Sequence, residues 1–397
     1  MKRSTNRILA SHAGNLPRSE DLWQMLLDRD AGRPVDEAAL QARVKQAVAD
    51  AVRKQADAGI DVVNDGEQSK RSWQTYANTR LAGLEERANF PIEAAGSIVG
   101  RDAREFDGYF RGLFGGGGGG AGVPATLRAG ATGGLSNPVF CVGPLRYIGQ
   151  EQTRIDIENL RAAIAGLNVE EAVLTAIAPG TIEHWLHNEY YKSDEEFLFA
   201  IAEAMNEEYR AITDAGFLLQ IDDPDLADAW QIHANMDVDE YRRFAELRVE
   251  SINVALKGVP REQVRLHVCW GSIHGPHKND IPLRQIADLI LRVNAGVYSI
   301  EASNPRHEHE WRVWEDFKLQ QDSVLMPGVV GHASDFIEHP ELVAERLVRY
   351  AGVVGRENVI AGTDCGLGGR VGHENIAWAK FQAMAEGCRI ATRKLWG

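Results

Sequence analysis

Eight short β-rich runs recur along the chain, and most are separated by long stretches of helical periodicity. In order they read ILASHAG, IDVVNDGE, AVLTAIAPG, FLLQIDDP, VRLHVCWG, VYSIEAS, LMPGVVGH and NVIAGTDCG. Residues 36–59 and 195–216 are amphipathic, and the second stretch stops at Gly216, a helix C-terminal signal. Residues 237–258, 283–296 and 340–355 carry the same helical pattern. Strands that alternate with helices lie parallel, because each helix returns the chain to the same end of the sheet. Eight such units fit an α/β fold of the closed (β/α)8 TIM-barrel type better than an open doubly wound sheet. No Gly-x-Gly-x-x-Gly follows the first run, which weakens a dinucleotide-binding reading. Polar residues end most of the runs, on the face where barrels of this kind hold their chemistry.

The rhythm fails between residues 85 and 150. This segment holds six consecutive glycines, residues 115–120, which cannot pack a core and are costly to order. It reads as a surface loop, with a mobile lid hung from the second strand as the functional alternative. VFCVGPLRY after it is expected to return as an accessory strand. No linker divides the chain, so residues 1–397 are expected to form one barrel domain, with 85–150 as its insertion.

Composition narrows the function. A net charge of −14 argues against a nucleic-acid or anionic-membrane surface. No apolar run approaches the roughly 20 residues of a membrane span, and the first residues lack an apolar signal core. Four widely spaced cysteines, Cys141, Cys269, Cys365 and Cys388, do not make a disulfide framework, which fits reduced thiols and a cytoplasmic setting.

Three strand ends are chemically unusual. His267 and Cys269 stand two apart in VRLHVCWG, so both face one side of a strand. Glu301 ends an apolar run, where an acid is costly unless paired or ligated. Cys365 follows the last strand beside glycines that allow close backbone approach. One nitrogen, two sulfurs and one oxygen form a plausible tetrahedral zinc set. Taken alone, His-x-Cys is a weak signal and reads first as a buried thiol beside a hydrogen-bonded histidine. His332 and His12 also end strands and are candidates to meet a substrate. His274 and His277 read as loop residues, and His307 and His309 as the start of a helix.

Together these pieces resemble the cobalamin-independent methionine synthase family, specifically its catalytic C-terminal barrel, in the family's order. SHAGNLPR is similar to the opening strand, VVNDGEQ to the second, APGTIEHW and LQIDDP to the next two. HVC, IEAS and TDCGLGGR match the three ligand-bearing segments. The resemblance implies Zn2+ held by His267, Cys269, Glu301 and Cys365, and a zinc-bound substrate thiolate that attacks an alkyl carbon. It implies that His332 protonates the leaving atom, that Glu67 and Asp222 hold the ammonium of homocysteine, and that Trp185 stacks on the folate. Asn15 stands where the synthase has a serine near the substrate carboxylate, and Asp223 where it has Glu. Arg18 and Arg146 are cations that could meet an anionic group. The same motif occurs in the epoxyalkane:coenzyme M transferases, and the first catalytic strand here begins near Ile8, without the synthase's extra barrel before it. The expected partners are therefore a small-molecule thiol and an alkyl donor, methyl-folate or an epoxide. A metal-free barrel enzyme of the uroporphyrinogen decarboxylase type and a non-catalytic zinc or thiol carrier are the readings from other classes.

Overall fold

The structure, a computed structural model, describes residues 1–87, 100–114, 138–272, 274–320 and 322–397. The glycine run at 115–120 lies outside the described residues. In chain order the strands are β1 (Leu9–Ala10), β2 (Val62–Asn64), β3 (Leu81–Glu86), β4 (Val139–Tyr147), β5 (Glu171–Ile177) and β6 (Leu186–Asn188). They continue with β7 (Leu218–Asp222), β8 (Val264–Val268), β9 (Val297–Ile300), β10 (Val324–Val330) and β11 (Ile360–Thr363). Eight of them form one parallel sheet in the order β1-β11-β10-β9-β8-β7-β5-β2. β1 and β2 then meet: Asp61 N donates to Ala10 O at 2.9 Å, and Ser11 Oγ to Val62 O at 2.9 Å. The result is a nearly closed (β/α)8 barrel, and its eight strands are those expected from the sequence.

Local chemistry starts the surrounding helices. Asp36 accepts from Ala39 N at the head of Glu37–Asp57, whose buried face includes Leu40, Val44, Val48 and Val52. Asp237 and Glu240 form a reciprocal capping box at the head of Val238–Ala255. Each such cap contributes about 1 kcal/mol, and each fully buried Leu or Val roughly 1.5–3 kcal/mol. No helix among the described residues is long and apolar enough to cross a membrane.

The expected helix at 283–296 shrinks to a 3-10 turn, Leu283–Gln285, and one short helix, Ala287–Ile290. Its carbonyls are satisfied from outside: Arg242 donates to Gln285 O, and Asn253 Nδ2 to Arg292 O at 3.0 Å. Those bonds replace the intrahelical ladder that a longer helix would need.

The accessory strand at VFCVGPLRY is present as β4. It pairs antiparallel with β3 and parallel with β6 in a three-stranded sheet, so the departure from the barrel begins at Leu81, before residue 85. A short helix further on, Gly100–Glu105, is tied to the barrel. Arg101 Nε donates to Trp230 O at 2.6 Å, and Asp102 accepts from Asn279 N at 2.9 Å. Asn279 belongs to the loop after β8, so this part of the excursion lies against the end of the barrel that carries His267 and Cys269.

Candidate metal centre

The barrel interior is layered. Leu9, Val62, Val173, Leu218, Val297, Val324 and Ile360 make an apolar floor. Two residues further along their strands stand Ser11, Gln220 and Ser299, and Arg265 joins them from β8, all fully buried and polar. Arg265 is held by Ser11 Oγ at 2.8 Å and His12 O at 3.0 Å. The next layer up carries the reactive groups. Alternation along β8 explains why Arg265, His267 and Cys269 share the inner face.

His267, Cys269 and Cys365 converge: their ligand atoms all lie within 4.8 Å of one another, and all three residues are buried. His267 Nδ1 lies 3.0 Å from Ser299 Oγ, while its Nε2 has no hydrogen-bond partner. A free lone pair on Nε2 requires the proton on Nδ1, which then donates to Ser299. This is the usual way a ligating histidine is oriented. The hydrogen bond from Cys269 pulls the Cys365 thiol well below the usual range. Cys269 rises correspondingly, because it shares that proton and is buried. A tetrahedral zinc with bonds of about 2.0–2.3 Å separates its ligand atoms by roughly 3.5–3.8 Å. The cluster's donors, all within 4.8 Å of one another, are close enough to share one ion and are the nitrogen and sulfur ligands that zinc prefers, so these residues fit it.

Glu301, the fourth residue of the expected set, lies outside that three-residue group. Its carboxylate accepts from Trp270 N at 2.8 Å and from Asn304 Nδ2 at 3.0 Å. It falls in a second buried group with His332 and Asp364. Burial, then the charge of Asp364, raises Glu301 to about 7. Asp364 fixes the chain beyond Glu301 by accepting from Ala302 N and Ser303 N, each at 2.8 Å. Glu301 is therefore beside the sulfurs, one residue from Cys269 through Trp270, with its oxygens held by other donors. His332 is buried, and neither ring nitrogen has a partner. Burial lowers it to about 4, so its ring is neutral.

Glu67 and Asp222 are both buried and lie close enough for their charges to interact. Burial raises both, and the charge of Glu67 raises Asp222 further. Gln220 Nε2 donates to Asp222 Oδ1 at 2.5 Å, and Thr175 Oγ1 to Glu67 Oε1 at 3.2 Å. Gly14, at φ +135°, makes room for the acid, since a Cβ there would stand 2.6 Å from Glu67 Oε1. Lys70 approaches the same place, its Nζ donating to Thr175 O at 2.7 Å. Lys70, Thr175, Gln220 and Ser299 were not among the residues expected at the site. Gln220 and Ser299 had a signal, each standing two residues before an acid at or just past the end of its strand.

The other candidates differ in their surroundings. His12 turns to the outer helices: Gly14 N donates to its Nδ1 at 3.3 Å, and its Nε2 meets Gln55 Oε1 at 2.8 Å. Both nitrogens are thus occupied by the framework, and burial holds the ring neutral, at about 3. Asn15 receives Arg18 Nη1 at 3.2 Å, and its carbonyl accepts from Leu367 N and Gly368 N just beyond Cys365. Arg18 also donates to Glu67 O, whereas Arg146 is exposed. Trp185 is half-buried after β5, its ring 5.0 Å from that of His184. Asp223 Oδ1 accepts from Thr181 Oγ1 at 3.1 Å, and its Oδ2 has no partner. His307 is a buried bridge between Asp280 and Glu310, and His309 is exposed.

Fold and site together define a parallel α/β barrel with a buried His/Cys/Cys donor cluster at the C-terminal ends of its strands. Residues 148–388 match the family described as Cobalamin-independent synthase, Catalytic domain. The chain belongs to that family. A methionine synthase of Thermococcus kodakarensis is 26% identical over 384 residues, covering 96% of this chain and 93% of that one. One from Sulfolobus acidocaldarius is 25% identical over 387 residues, covering 96% and 91%. Among solved structures, a B12-independent methionine synthase from Shewanella sp. W3-18-1 in complex with selenomethionine superposes with TM-score 0.69 at 20% identity, over 98% of this chain and 99% of that one. A putative vitamin-B12 independent methionine synthase from Listeria monocytogenes gives 0.65 at 17% identity, over 99% and 100%. At these identities the two structures speak for the fold.

Proposed function

We propose that this protein is a zinc-dependent transferase that moves a methyl group from a folate to the sulfur of homocysteine. In this reading the whole chain is one barrel domain, and the excursion around β3 and β4 is its insertion. The observation that carries the proposal is the convergence of His267, Cys269 and Cys365 in the barrel whose next ends present Glu67 and Asp222. Family membership and methionine synthases of similar length support it.

His267, Cys269 and Cys365 would hold the ion, with Glu301 beside them as the oxygen donor. Bound zinc supplies a Lewis acid that keeps a thiol ionised at neutral pH. The chain's own groups do the rest. Two buried carboxylates that repel each other gain most from a cation placed between them. Glu67 and Asp222 therefore bind the ammonium of an amino-acid thiol and aim its sulfur, with Gln220 fixing Asp222. A neutral His332 with two free nitrogens can receive and pass a proton to the leaving atom. Trp185 offers its face to a planar donor. The apolar floor and buried walls exclude water from the reacting sulfur.

Zinc-edge X-ray absorption of the purified protein, with and without homocysteine, tests this reading. Gain of one sulfur in the shell, with loss of a light-atom ligand, is the expected result. An unchanged shell, together with product formed from an epoxide and coenzyme M but none from methyl-folate and homocysteine, would replace methyl transfer by epoxide opening.

A further inference from the structure

One turn brings a hydrogen-bond donor to each of the two sulfurs. Gly271, two residues after Cys269, donates its N–H back to that cysteine. Ser272 crosses to the other side, its Oγ 3.6 Å from Cys365 Sγ. The turn is set from two directions. Gly271 has φ +83°, and a Cβ there would stand 2.9 Å from Asp228 Oδ1, so no other residue fits without displacement. Arg370, in the loop after Cys365, donates from Nη1 to Ser272 O at 3.0 Å. The loop that follows one cysteine is thus fastened to the loop that follows the other.

A sulfur that ligates a cation carries no proton, so the hydroxyl of Ser272 is the donor in that state. A hydrogen bond draws on the sulfur lone pair and makes the sulfur a poorer nucleophile. That matters in a site built to alkylate sulfur, because the protein's own thiolates stand beside the incoming one. We infer that Ser272 is a selectivity residue of this site: its hydroxyl caps Cys365 so that the alkyl group passes to the substrate thiol and not to the protein. The reaction it suppresses forms a bond from Cys365 Sγ to the alkyl carbon and breaks that carbon's bond to its leaving group, which departs with the electron pair. Gly271 gives Cys269 the same protection through the backbone. The inference rests on the metal-centre reading above.

The test uses the full zinc-loaded chain, as wild type, Ser272→Ala and Ser272→Thr, exposed to limiting iodoacetamide. Zinc content is measured on each sample, and alkylation of Cys269 and Cys365 is followed by peptide mass spectrometry. Loss of the hydroxyl is expected to speed modification of Cys365 by about five-fold, the worth of one hydrogen bond, with Cys269 unchanged. Threonine keeps the hydroxyl and should behave as wild type. Equal rates at Cys365 in wild type and Ser272→Ala overturn the inference and leave the metal centre standing. An equal rise at both cysteines shows a loosened site and overturns it too. Absence of zinc from all three proteins removes the metal centre itself, and the inference with it.

Discussion

The ring of His307 lies flat on Trp270, with centroids 4.0 Å apart and planes 22° from parallel. Its two nitrogens reach Asp280 at 3.0 Å and Glu310 at 2.8 Å. The stack braces the residue whose N–H holds Glu301. Burial alone would lower this histidine, but the bonds to Asp280 and Glu310 outweigh it and raise the ring to about 9 from 6.5. A raised folded value means that the stabilisation is fully present below pH 6.5 and fades as pH climbs through 9. Urea titrations of wild type and His307→Gln should differ by a few kcal/mol at pH 6 and converge above pH 9.5. A difference that persists unchanged at pH 10 would contradict the charged bridge.

Removal of the Ser299 hydroxyl frees the Nδ1 of His267 while leaving all donor atoms in place. Metal affinity should fall by about ten-fold or more in Ser299→Ala, with the circular dichroism spectrum unchanged. Competition against a chromophoric zinc chelator measures it. Wild-type affinity in that variant would mean that His267 needs no outer partner.

Asp364 satisfies two buried backbone N–H groups beyond Glu301. Asp364→Ala leaves both without an acceptor, at about 1–3 kcal/mol each. A drop of several kcal/mol in unfolding free energy is expected from chemical denaturation. A loss below 1 kcal/mol would show that the segment finds other acceptors.

Asp222→Asn should separate stability from binding. Its carboxyl is raised by burial and then by Glu67, so this acid costs the fold increasingly as pH rises above 3.8. The variant is therefore expected to melt higher than wild type at pH 8 and nearly together with it at pH 4. Its KM for the thiol should rise about ten-fold or more, through loss of one charge-assisted contact to the ammonium. A variant less stable at pH 8 would reverse the sign of the argument.

Gly14→Ala probes the other acid. A methyl at that position collides with Glu67 Oε1 and must adopt a positive φ. Destabilisation of about 1–3 kcal/mol is expected, with KM for the thiol raised more than kcat is lowered. An unchanged KM would show that Glu67 does not need its present position.

The eight barrel strands were legible because buried parallel strands write themselves as short apolar runs ended by Gly or a polar residue. His267, Cys269 and Cys365 were legible as a convergent set for the same reason: strand ends in a closed barrel point to one axis. β3 was not, because it reads LAGLEE, half polar, and gains its order only from pairing with β4. His12 ends a strand as a site residue would, and only the packing of Gln55 against it shows where its nitrogens go. Lys70 and Ser272 act through partners 105 and 93 residues away, a separation that no local pattern records. The orientation of Glu301 depends on Trp270 N–H and Asn304, and ligand type alone could not foresee it.

The apolar floor of Leu9, Val62, Val173, Leu218, Val297, Val324 and Ile360 gives the barrel the shape of a well with a sealed bottom. Under the proposed reaction, a substrate that reaches the sulfurs would approach from the strand-end side, above the polar layer of Ser11, Gln220 and Ser299.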